Sequence, residues 1–133
     1  TRPLINARGE TVDEKKTFKA MFAITRCIIP ATAFFEWRKT PDGKKKKTRI
    51  SVNDMPLFSM AGLYSTFLDS DGTRIKKCAI ITTSANDAMA NIHDRMPVIL
   101  HKDSAELWLN NEVQDIPLLK SLLKPFTGEL IFE

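Results

Sequence analysis

Short apolar runs rich in aromatic and β-branched residues, cut at intervals by turn signals, constrain this chain more than any other feature. Cys27-Ile28-Ile29-Pro30 and Ala33-Phe34-Phe35-Glu36-Trp37 read as strands, because such side chains pack well on a pleated surface. Pro41-Asp42-Gly43 signals a turn, Lys44 to Lys47 falls at the hairpin tip, and Thr48 to Val52 alternates like a returning strand. Leu57 to Leu68 is a longer run interrupted by Gly62, which marks a bulge or a close backbone approach. After the turn Asp69-Ser70-Asp71-Gly72, the stretch Ile75 to Thr83 is the most hydrophobic strand candidate and reads as central.

Helices are fewer. Thr11 and Glu14 have the spacing of a capping box, and Phe18, Met21 and Phe22 follow on one helical face, which predicts a helix over residues 12–23. Asn86 to Asn91 suits a short helix. Residues His93 to Pro97 read as loop, since Pro97 disfavours helix at Met96. Asp103 and Glu106 suggest another helix start, Asp115 a third, and Leu130 to Phe132 a closing strand. Strands joined by hairpins with helices set around them make an α+β domain. The 133 residues fit a single domain over 1–133.

Composition narrows the function classes. With 43% hydrophobic and 27% charged residues, the chain can build a core, which excludes whole-chain disorder. No apolar stretch approaches the ~18 residues of a membrane helix, and the opening TRPLINARGE has no secretory apolar region. The net charge of +4 permits a polyanionic partner without requiring one. Two cysteines, Cys27 and Cys78, are too few for a disulfide scaffold, so a reducing cytoplasm is the simplest location, nucleoid-associated if the source is bacterial.

Polar residues gather in four clusters: Asn6-Ala7-Arg8-Gly9-Glu10-Thr11, Phe34-Phe35-Glu36-Trp37, Thr82-Thr83-Ser84-Ala85-Asn86 and His93-Asp94-Arg95-Met96-Pro97. If Glu36 shares a strand face with Phe34, its carboxylate is partly desolvated and suited to proton transfer. If it alternates outward, Phe35 and Trp37 point in and Glu36 is an ordinary surface acid. His93 is a candidate for proton transfer near neutrality, or a plain loop histidine. Arg8 and Arg95 can each fork onto a phosphate, or serve as ion-pair residues. Cys27, Cys78, His93 and His101 lack metal-ligand spacing, so no metal and no other cofactor is implied. Cys27 sits in an apolar strand, which argues against a nucleophile.

Taken in order, the Asn6–Thr11 cluster, Arg26-Cys27 with Pro30, Phe35-Glu36-Trp37, Ala61-Gly62-Leu63, Thr82-Thr83 with Ala85-Asn86, and His93 with Arg95-Met96-Pro97 resemble the SRAP family, the SOS response-associated peptidases. The resemblance runs from Asn6 to about Leu100. It implies a mostly antiparallel, curled, barrel-like sheet with a few flanking helices. It implies detection of abasic sites in single-stranded DNA, where an N-terminal cysteine condenses with the ring-opened sugar to give a thiazolidine crosslink. An autoprocessing or peptidase activity is implied as well.

Carried over by motif, Asn6 positions nucleophile and sugar, Glu36 is the acid/base, and His93 handles the opened sugar oxygen. Arg8, Arg95 and Thr82 or Thr83 contact phosphates. No such cysteine stands in this sequence, so the resemblance also implies a chain lacking its N-terminal segment. A peptidase acting in trans and a non-catalytic single-strand binding module remain alternatives. No motif names a protein partner or a membrane.

Overall fold

In the computed structural model, which describes residues 4–133, the long apolar run Arg74–Ser84 (β6) is the axis of a six-stranded sheet. Phe58–Leu68 (β5) pairs antiparallel with it, Tyr64 opposite Cys78, and Arg26–Ala31 (β2) pairs antiparallel with β5. Leu4–Arg8 (β1) lies along the other side of β6 in parallel register, Asn6 opposite Ile80 and Arg8 opposite Thr82. Arg95–Pro97 (β7) and Ile99–Leu100 (β8) add to β6 and β5. A second, three-stranded sheet runs in the order Phe34–Lys39 (β3), Lys45–Val52 (β4), Leu130–Phe132 (β9), antiparallel throughout.

Strand alternation gives the six-stranded sheet two apolar faces. Ala7, Ala61, Leu63, Ala79 and Ile81 point to one side and pack with Val12, Phe22, Trp108, Leu119 and Leu123. That side carries the helices Lys19–Ile24 (α1), Lys102–Leu109 (α3) and Ile116–Ser121 (α4). Met60 points to the other side and joins Ile50, Val52, Phe58, Met96 and Leu130 in a core between the two sheets. The short helix Asp87–Ala90 (α2) contributes Met89 to that second core. The α+β architecture anticipated from the sequence is therefore found, with β1–β6 its parallel exception.

Several sequence expectations need correction. The helix over 12–23 contracts to α1: residues 11–18 form turns, in which the Lys15 N–H reaches the Thr11 carbonyl without the helix propagating. Those turns deliver Val12 fully into the core, and α1 begins after Phe18 with no side-chain cap. Lysines 45–47 lie within β4 rather than at the hairpin tip, Lys47 standing opposite Trp37. Arg95–Pro97 is strand, not loop; Pro97 ends β7 on a sheet edge, where its missing N–H is tolerated. Helix α3 starts after His101, so Asp103 sits in its first turn rather than capping it. The Asp115 cap does form, its side chain accepting from the Leu118 N–H, and the helix expected over Asn86–Asn91 is Asp87–Ala90, capped by Asn86, whose side chain accepts from the Met89 N–H. None of the helices described is long and apolar enough to cross a membrane.

Candidate functional site

Where β3 passes over the open face of β1 and β6, the two sheets enclose a cavity of about 430 Å³. Asn6 and Arg8 reach it because the buried Ala7 between them takes the opposite face of β1. Thr82 comes from the paired position on β6, and His93 and Arg95 from the loop and strand that follow α2. Glu36 enters from β3. Met60, Ile80, Phe34 and Met96 supply an apolar lining. Six polar side chains drawn from four separated stretches of sequence thus share one concave surface, a size and composition usual for ligand sites.

The choice left open for Glu36 is resolved by β3. Glu36 shares the inner face with Phe34, while Phe35 and Trp37 are 51% and 57% exposed. An outward-facing aromatic pair at an acid-bearing strand inverts the usual burial preference, which is why the residue pattern alone did not decide it.

His93 is fixed by its neighbour. The Arg95 backbone N–H donates to His93 Nδ1 at 3.1 Å. The Arg95 carbonyl, an acceptor, stands 3.3 Å from the same nitrogen. The Asp94 carboxylate stands 3.3 Å from the same Nδ1.

Arg95 is not a free cation. Its Nη1 and Nη2 donate to the two carboxylate oxygens of Glu10 at 2.6 and 2.8 Å, and Nη2 also donates to Thr82 Oγ1 at 3.1 Å. This fork holds the Glu10 carboxyl at about 2, far below its ordinary 4.5, with the charges of Arg95 and Arg8 adding to the hydrogen bonds. Arg8 is exposed and makes no ion pair or side-chain hydrogen bond among the described residues. Thr83 does not reach the cavity; it takes the opposite face of β6 from Thr82 and is 4% exposed.

Neither cysteine joins the site. Burial, reinforced by the neighbouring Cys78, pushes the Cys27 thiol up to about 11, the wrong direction for a nucleophile. Among the described residues no group of three or more His, Cys, Asp or Glu is placed to hold a metal ion.

The other face of the β3–β4 hairpin carries Phe35, which also touches the cavity, and Trp37, opposite Arg49 and Lys47. Lys47 Nζ lies 4.5 Å from the centre of the Phe35 ring.

Glu10 is the site residue that sequence reasoning left without a role. Its place between Arg8 and Thr11 was visible, but its partner stands 85 residues away.

A family profile described as SOS response associated peptidase (SRAP) matches residues 1–132. Among curated proteins, abasic site processing protein YoqW of Bacillus subtilis is 42% identical over 126 residues, covering 95% of this chain and 56% of its own length. Abasic site processing protein YedK of Escherichia coli is 34% identical over 111 residues, covering 84% of this chain and 49% of itself. The HMCES protein of Xenopus tropicalis, likewise named for abasic site processing, is 32% identical over 79% of this chain and 37% of itself. A crystal structure of a Bacteroides thetaiotaomicron protein superposes with a TM-score of 0.88 at 39% identity, over 96% of this chain and 56% of that one. The chain thus spans about half the length of the Bacillus subtilis and Bacteroides thetaiotaomicron relatives.

Proposed function

The chain belongs to the SOS response associated peptidase family, and on that footing we propose that it processes abasic sites in single-stranded DNA by forming a covalent bond to the opened sugar. The observation that carries this reading is the convergence of Asn6, Arg8, Glu36 and His93 on one cavity. The names of the relatives, all abasic site processing proteins, support the substrate class.

The chemistry asks for those residue types. An abasic deoxyribose opens to an aldehyde and a free hydroxyl. A primary amine adds to the aldehyde carbon and water leaves, giving an imine; an adjacent thiol then adds to the same carbon and closes a thiazolidine. Opening needs a proton at the ring oxygen, and loss of water needs a proton at the carbinolamine hydroxyl. The His93 imidazole is a suitable proton donor to the ring oxygen. Glu36, beside the apolar wall of Phe34 and Met60, is a suitable acid/base for the carbinolamine. Asn6 offers an amide NH2 and a carbonyl oxygen to orient the sugar, and Arg8, unpaired among the described residues, is the cation for a flanking phosphate. The nucleophile of this reading is an N-terminal cysteine offering amine and thiol together. Cys27 and Cys78, inside β2 and β6, cannot play that part. The same Glu36 and His93 would serve the autoprocessing peptidase activity that the family name suggests.

A denaturing gel tests the reading. The 133-residue chain, and a form extended at its N-terminus by a segment that begins with cysteine, are each incubated with single-stranded DNA bearing one abasic site. A slow-migrating band is expected from the extended form and is expected to weaken strongly on Glu36→Gln. Absence of that band from both forms overturns covalent processing.

A second reading, non-catalytic binding of single strands, is favoured by the basic and aromatic hairpin face alone. It requires Glu36→Gln to behave as wild type.

A further inference from the structure

Both cysteines of the chain stand on one face of the six-stranded sheet, with β5 between them. Cys27 on β2 is opposite Gly62, and Cys78 on β6 is opposite Tyr64. Gly62 and Tyr64 are two residues apart on β5, so they and the cysteines paired with them point the same way. Ile80, which lines the cavity, is the next residue of β6 on that face. Gly62 leaves the space between the thiols open. A Cβ there would meet Cys27 Sγ at 3.1 Å and Ile29 Cδ1 at 2.8 Å. The thiols lean together over this gap, where Cys78 hydrogen-bonds the Cys27 thiol. Both residues are half-buried, so neither is sealed in the core.

What such a pair can hold follows from its spacing. Adjacent strands lie about 4.8 Å apart, so cysteines separated by a whole strand have backbones more than about 9 Å apart. A disulfide needs Cα atoms within about 7 Å. The pair is therefore too wide to close on itself, and it is spaced to take one atom between the sulfurs. Zinc takes four ligands, and among the described residues no third His, Cys, Asp or Glu joins these two. Soft thiolates select copper(I), a closed-shell ion that two ligands in a line can satisfy. Two thiolates on one singly charged ion leave a net negative charge. Lys76 stands two residues from Cys78 on the same face of β6, with its ammonium 5.4 Å from the centre of the Tyr64 ring, and it offers the balancing cation.

We propose that Cys27 and Cys78 form a two-coordinate site for a soft, singly charged d10 cation of the copper(I) class. Binding forms two sulfur–metal bonds and releases the two thiol protons to solvent; the metal keeps its oxidation state. The site is separate from the proposed DNA chemistry, since neither thiol lines the cavity.

The 133-residue chain carries no other cysteine, so the sulfur count is unambiguous. Reduced protein is titrated anaerobically with copper(I) in the presence of bicinchoninate, a coloured chelator that competes for the ion. The chain is expected to withdraw one copper from the chelator without changing its oligomeric state. Cys27→Ser and Cys78→Ser are each expected to lose the retained copper. Retention by either single variant, or no uptake by the wild type, overturns the proposal. A copper-dependent dimer overturns it as well, because the ion would then bridge two chains.

X-ray absorption of the copper-loaded wild type keeps the test independent of how the variants fold. Two sulfur neighbours and no nitrogen are expected; one sulfur with nitrogen neighbours overturns the proposal. Oxidation of the metal-free chain with diamide, mapped by mass spectrometry, checks the spacing alone. Cys27 and Cys78 are expected not to bond to each other, and a disulfide between them in the folded chain overturns the proposal.

Discussion

The Gly9 N–H donates to the Thr82 carbonyl at 2.8 Å, and a Cβ on Gly9 would sit 3.2 Å from that same oxygen and 3.2 Å from Leu123 Cβ. This close approach docks the end of β1 on the central strand and sends the chain on to Glu10. Because β6 is paired on both sides there, it has little room to yield. Gly9→Ala is expected to destabilise the fold by about 1–3 kcal/mol through overpacking, read as a lower denaturant midpoint with an unchanged m-value.

Arg26 is 4% exposed and has no carboxylate partner among the described residues. It donates instead to the carbonyls of Trp108, Phe22, Asn110 and Val113 at 2.7 to 2.9 Å, knitting β2 to the ends of α1 and α3. Arg26→Met keeps the stem and strands these buried acceptors. At about 1–3 kcal/mol for each buried group left unpaired, the loss is expected to exceed about 3 kcal/mol in equilibrium unfolding. Arg26→Lys, with a point charge in place of the fork, is expected to fall between the two.

Acid should expose the Glu10–Arg95 bond. The Glu10 carboxyl is lowered from 4.5 to about 2, so the unfolded chain takes up its proton first. The stabilisation is then complete above pH 4.5 and disappears as pH falls toward 2. The Glu10 side chain is 48% exposed, so solvent screening leaves only a fraction of the stabilisation that shift would imply. Thermal melts of wild type and Glu10→Gln are expected to differ at pH 6 and to converge by about pH 2.5. A difference that persists unchanged in acid would mean the substitution acts through packing.

Long, strongly apolar elements were legible: β5 and β6 emerge within a residue of their expected ends, because long apolar runs bounded by turn signals leave few other readings. The five-residue β1 was not, since a strand carrying Asn6 and Arg8 earns its place from parallel pairing with β6, a partner remote in sequence. The expected 12–23 helix failed because burying Val12 takes precedence over local helical spacing. Within the site, motif order located Asn6, Arg8, Glu36, Thr82, His93 and Arg95, which do meet around one cavity. What motif order could not supply was direction. It does not say that Thr83 faces the core or that Arg95 is paired, because both depend on strand facing and on a partner in another cluster.

The hairpin offers a last measurement. Trp37 and Lys47 are opposite one another, as are Phe35 and Arg49, and Lys39 and Lys45, so one face of the β3–β4 ribbon alternates flat rings with cations. Stacking on an exposed ring is indifferent to base identity, and each cation can meet a phosphate along an extended strand. Arg49 is paired with Glu133 at 3.5 Å, so replacing Lys45 and Lys47 together with Gln is expected to lower the single-strand salt slope by up to about 1.4. Trp37→Ala is expected to weaken binding by about 1–3 kcal/mol with the slope unchanged, because a ring releases no counterions. On the proposed function, which rests abasic-site recognition on the cavity residues, both variants should retain a preference for abasic over intact strands. Loss of that preference in either one would move recognition of the sugar from the cavity to the ribbon.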